Sequence, residues 1–105
     1  MAHVAEQLYF NLRGTRLANK DGLFGKSDPF FVISRLTESN EWQQVHKSEV
    51  VMDNLSPVWK AATVGMQRLC NGDRSRPIKF SIWDWDRDGA HDYMGSFETT
   101  AAGLL

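Results

Sequence analysis

Ile78, Phe80 and Ile82 alternate with Lys79 and Ser81, and this two-residue period runs straight into Asp84-Trp85-Asp86-Arg87-Asp88-Gly89-Ala90-His91-Asp92. Alternation of apolar and polar residues is the mark of a strand with one buried face. The most acidic loop of the chain is therefore fed by a strand, and that excludes every architecture in which a helix leads into it. Four carboxylates within nine residues repel one another unless positive charge sits among them. Hard oxygen ligands on a flexible loop are what calcium takes, at roughly 2.3–2.6 Å. A divalent cation is the first hypothesis for this stretch.

Two other readings compete with it. Through Gly89 the segment follows the opening of an EF-hand loop, but the twelfth position, which needs a bidentate Glu, is Gly95, and the preceding segment is not a helix. The other is a solvated acidic turn, which loses weight if a second acidic cluster is brought alongside.

The remaining residues supply that cluster. Residues 7 to 18 read as a first strand, with Leu8, Phe10 and Leu12 on one face and Gly14 a bulge candidate. Residues 19 to 29 carry two glycines, a proline and short polar side chains, and so form a loop, which holds Asp21 and Asp28. Further strands are expected at Phe30 to Leu36, Trp42 to Val51, Val58 to Leu69, up to Trp83, and near Tyr93 to Thr100, with no helix. Six strands separated by turn signals predict an all-β antiparallel sandwich. If each strand reverses the chain, the loops at 19 to 29, 52 to 57 and 84 to 92 share one end, and the two acidic clusters converge.

Composition narrows the function. At 105 residues the chain holds one core, and 42% hydrophobic content with twelve aromatics marks it as globular. A net charge of -1 gives no global pull toward nucleic acid or membrane, so any electrostatic preference is local. The single cysteine, Cys70, has no intrachain partner and no zinc-type neighbours, consistent with a reducing compartment. No stretch approaches the roughly 18 apolar residues of a spanning helix.

Several motifs together resemble a C2 domain: Lys26-Ser27-Asp28-Pro29-Phe30, Asn54-Leu55-Ser56-Pro57-Val58-Trp59, and Trp83-Asp84-Trp85-Asp86 with His91-Asp92-Tyr93-Met94-Gly95. Leu69-Cys70-Asn71-Gly72-Asp73, Arg76-Pro77-Ile78-Lys79 and the run Asp86 to Asp92 look like the second C2 domain of the copine family. The resemblance covers about residues 8 to 100 and implies a Greek-key sandwich. It also implies calcium (Ca2+) ligands at Asp21, Asp28, Asp84, Asp86 and Asp92, with Asp88 a sixth candidate. The step from Asp21 to Asp28 is one residue longer than similar domains show, Gly22 being the insertion. Similar domains also continue past the sixth strand, so this chain is read as a single, C-terminally incomplete domain, residues 1 to 105.

The function expected from that resemblance is calcium-dependent binding of anionic, phosphatidylserine-containing phospholipid membranes, recruiting a cytosolic protein from the cytoplasm when calcium rises. Leu23 and Phe24 are candidates for insertion into the bilayer and Arg87 for a lipid phosphate. The shared end sums to -3, and two calcium ions turn it to +1. No nucleic acid or small-molecule substrate is expected. Catalysis by a D-x-D metal site has no phosphate loop or general base to support it. A calcium-independent protein-interaction module is the alternative.

Overall fold

A computed structural model describes residues 6–17 and 27–105. Its elements are β1 (Gln7–Phe10), β2 (Pro29–Leu36), β3 (Trp42–Lys47), β4 (Ala62–Gly65), α1 (Met66–Cys70), β5 (Pro77–Asp84), β6 (Asp92–Thr100) and α2 (Ala101–Leu104). Two antiparallel sheets form: β1 pairs with β4, and a four-stranded sheet runs β3-β2-β5-β6. The all-β sandwich expected from the alternation is the fold found.

Alternation decides which side chains fill the space between the sheets. Phe31 and Ile33 of β2 and Ile78 and Phe80 of β5 are sealed from solvent, and they pack with Leu8 of β1, Val45 of β3 and Val64 of β4 in one cluster. Phe31 meets Trp59 edge-on at 5.1 Å between ring centroids, and the Trp59 Nε1–H donates to the Pro29 carbonyl at 3.2 Å. Burial of each such large side chain contributes about 1.5–3 kcal/mol. The opposite face of the same strands carries Phe30, Val32, Ser34, Lys79, Ser81 and Trp83, which line an open groove.

Several boundaries differ from the sequence reading. β1 ends at Phe10, and only an isolated bridge between Arg13 and Val58 continues the pairing. Gly14 is no bulge: its N–H donates to the Pro57 carbonyl at 2.9 Å, and a Cβ there would stand 3.0 Å from Leu17 Cδ1. β3 stops at Lys47 because Ser48 takes over as a side-chain partner, its Oγ accepting the Phe31 N–H at 2.8 Å.

The single strand expected from Val58 to Leu69 divides into β4 and a helical turn, α1. Met66, Leu69 and Cys70 all point inward from that turn, the i, i+3, i+4 spacing of a helix face. Asn71, in the left-handed conformation at φ 54, ends it. A second turn, α2, starts where Thr100 Oγ1 accepts the Gly103 N–H at 3.0 Å. The absence of helix expected from sequence is thus corrected at both places.

Candidate metal site at the acidic pole

β2 and β5 are neighbours, and their register sets Pro29 opposite Asp84. Asp28, one residue before the start of β2, must therefore meet Asp84, the last residue of β5. The Asp28 N–H donates to Asp84 Oδ1 at 2.8 Å, and the Trp85 N–H donates back to the Asp28 carbonyl at 3.0 Å. The loop after β3 joins them: the Asp53 N–H donates to Asp28 Oδ1 at 2.7 Å and the Asn54 N–H to the Ser27 carbonyl at 3.0 Å. Asp92 stands opposite Asp84 in the β5–β6 register. Three loops distant in sequence therefore share one pole, as alternating chain reversal requires.

Within the acidic loop the geometry is turn chemistry. Asp86 Oδ1 accepts the Asp88 N–H at 3.2 Å, Asp88 Oδ1 accepts the Ala90 N–H at 2.9 Å, and the Gly89 N–H donates to the Asp86 carbonyl at 3.0 Å. Gly89 sits at φ +89, a conformation that favours glycine. His91 closes the loop, its Nδ1 accepting the Asp86 N–H at 2.9 Å while its ring stands edge-on to Phe30 at 5.1 Å.

Asp84 is 2% exposed, Asp28 is half-buried, and Asp86, Arg87, Asp88 and Asp92 are exposed. Asp21, Leu23 and Phe24 lie outside the described residues. The donor chemistry fits a hard divalent cation: carboxylates from two loops at one pole, four of them using Oδ1 for the bonds that fix the loops. As the described side chains stand, no three His, Cys, Asp or Glu groups are set around a common metal position. Asp88 has the turn-forming contact that competes with a ligand role.

Sequence reasoning missed two residues of this pole. His91 is no ligand candidate by residue spacing, yet it templates the loop; a ring nitrogen five residues after Asp86 is the available signal. Asp53 belongs to the loop at 52 to 57 that alternation brings to this end, and its N–H fixes the Asp28 carboxylate. With Asp53 counted, the described pole holds six carboxylates, Asp28, Asp53, Asp84, Asp86, Asp88 and Asp92, against Arg87.

Burial pushes the Cys70 thiol up, and its Sγ donates to the Met66 carbonyl at 3.4 Å, the behaviour of an inert core cysteine. Burial first, then the Arg68 guanidinium, holds His46 below its ordinary value. The Ser75 hydroxyl and N–H hold the Asp73 carboxyl below the usual range.

A family model for the C2 domain matches residues 8–104, nearly the whole chain. The chain belongs to the C2 family. Among solved structures, this C2 domain is similar to BON1-C2B, at 31% identity and a TM-score of 0.82 over 93% of this chain. It spans 66% of that structure's length. The C2A domain of plant extended synaptotagmin 1 matches in fold, at 23% identity and a TM-score of 0.70, covering 96% of this chain and 72% of that one. The RIM C2A domain from Drosophila does so at 20% and 0.67, covering 93% and 77%.

Proposed function

We propose that this C2 domain is a non-catalytic, calcium-dependent module that carries a cytosolic protein to anionic, phosphatidylserine-containing membranes. The observation that carries the reading is the meeting of Asp28 and Asp84, with Asp86 and Asp92 beside them, at one pole. Membership of the C2 family supports it, since domains of this family often bind calcium and membranes. The resemblance of the run Asp86 to Asp92 to copine second C2 domains points the same way.

Asp28, Asp84, Asp86 and Asp92 would hold the metal, joined by Asp21 from the first loop. Bound calcium supplies positive charge and open coordination positions that take headgroup phosphate or carboxylate oxygens. Adding Asp53 to the expected charge makes the metal-free pole -4, so two ions bring it to neutrality instead of +1. Calcium would then act by abolishing repulsion and by bridging directly; long-range attraction, roughly 1 kcal/mol per charge at an anionic leaflet, contributes little. Leu23 and Phe24, as insertion groups, and Arg87, at a lipid phosphate, would supply further contact.

Sedimentation with phosphatidylserine vesicles across a calcium titration tests this. The parent chain should sediment as calcium rises and be released by a chelator, and Asp84→Asn or Asp86→Asn should stay in solution. Equal sedimentation of parent and variants overturns the assignment.

One observation favours a second reading, a calcium-independent protein-interaction module: Asp28, Asp84 and Asp86 each already accept a backbone N–H, so the pole is held without metal. Binding of a protein target that persists in chelator and in Asp84→Asn would select it.

A further inference from the structure

The end of the sandwich opposite the acidic pole brings two arginines, Arg35 and Arg76, to one recess. β2 and β5 run side by side from Pro29 and Asp84 to Arg35 and Ile78, and Arg76 immediately precedes β5. The turns there enclose a recess of about 270 Å3 lined by Arg35, Thr37, Glu38, Ser39, Asn71 and Arg76. Arg35 is fixed in place, its Nε donating to Gln43 Oε1 at 3.1 Å and its Nη1 to the carbonyls of Gln67 and Arg68 at 3.4 and 3.2 Å. Arg76 is held by one bond, Nη1 to the Leu36 carbonyl at 3.1 Å.

The Arg76 Nε–H is different. It is sealed from solvent and meets no acceptor among the described residues. A buried donor left without a partner is disfavoured, and those that persist ask for a missing acceptor. No carboxylate fills that role. Asp73 feels the Arg76 charge, but its Oδ1 is taken by the Ser75 N–H and hydroxyl at 3.0 and 2.6 Å. The one ion pair among the described residues joins Arg74 to Glu6.

We propose that this recess binds a compact oxyanion of the phosphate-monoester class, presented by a soluble molecule. A guanidinium offers Nε and a terminal nitrogen as a side-on fork that matches two oxygens of phosphate. Among the described residues only the Leu36 carbonyl holds the Arg76 side chain, so the guanidinium can turn its sealed Nε edge into the recess, where an anion supplies the acceptor this edge lacks, with the fixed Arg35 charge, the hydroxyls of Thr37 and Ser39 and the Asn71 amide around it. Glu38, exposed at the rim, disfavours a continuous anionic surface such as a bilayer but leaves room for a single oxyanion between the two arginines.

The test is a titration of the isotopically labelled 105-residue chain with inorganic phosphate and with phosphoserine, at constant ionic strength and without calcium. Backbone amides of Thr37, Ser39 and Asn71 and the Arg76 Nε–H resonance should shift saturably, while amides of Asp84 to Asp92 stay fixed. Arg76→Gln should weaken binding by about tenfold or more. Glu38→Gln, at an exposed position that leaves the fold intact, should strengthen it about two- to threefold. Saturation by phosphoserine and not by inorganic phosphate would still support the site and assign it to phosphorylated side chains. Non-saturable shifts, or affinity unchanged in both variants, would overturn it. So would sedimentation with phosphatidylserine vesicles that depends on Arg76 and needs no calcium, if phosphate leaves the recess untouched: that result gives the recess to a bilayer.

Discussion

Asp84 anchors two loops through one oxygen, and its substitutions should separate by what they leave on that atom. Alanine removes the buried acceptor of the part-buried Asp28 N–H and should cost about 1–3 kcal/mol. Thermal unfolding of the metal-free chain checks this, the midpoint dropping about 4–8 °C per kcal/mol for a chain of this size. Asparagine keeps an acceptor there and removes one like charge from a crowded pole, so its midpoint should stay level or rise. His46 gives a pH dependence of definite sign. Its folded-state pKa lies below the ordinary value near 6.5, so between the two values the unfolded chain binds the extra proton. Stability is then complete above about pH 6.5 and declines as pH falls toward the folded value. Unfolding midpoints compared at about pH 7.5 and about pH 5.5 should differ less in His46→Gln than in the parent.

At the scale of elements, α1 is a single helical turn whose exit depends on Asn71 holding φ 54. Asn71→Ala removes the short amide side chain that makes the left-handed region tolerable and that accepts from Gln67 Nε2, and should destabilise by about 1 kcal/mol, read in a denaturant titration as a lower midpoint at constant slope. This turn also shows where sequence reading stopped. β5 was legible because Ile78, Phe80 and Ile82 keep strict alternation toward the space between the sheets. Thr63, Val64 and Gly65 favour strand and do form β4, but that local preference hid the change of period at Met66, where Leu69 and Cys70 already recur at helical spacing. The early end of β3 was not legible at all, since it turns on Ser48 reaching the Phe31 N–H, a contact between segments that no local pattern encodes. The pole itself was legible from parity of reversals alone, whereas the roles of His91 and Asp53 there depend on individual loop bonds.

Over the whole molecule, the proposed metal binding would be linked to folding. If calcium binds the folded chain and not the unfolded one, about a hundredfold excess over its dissociation constant adds roughly 2.7 kcal/mol. That is an upward shift in unfolding midpoint of roughly 10 °C or more. Calorimetry with and without calcium should show it in the parent and lose it in Asp84→Asn; an equal shift in both would place the metal elsewhere. β2 and β5, adjacent and antiparallel, extend over about 23 Å with Asp28 and Asp84 at one end and Arg35 and Arg76 at the other. The pair is thus an electric dipole built into the central strands, and the field of an anionic surface turns the acidic end of the metal-free molecule away from it. Loading the acidic end with calcium shrinks that moment, so the ion would govern which way round the domain arrives as well as whether it stays.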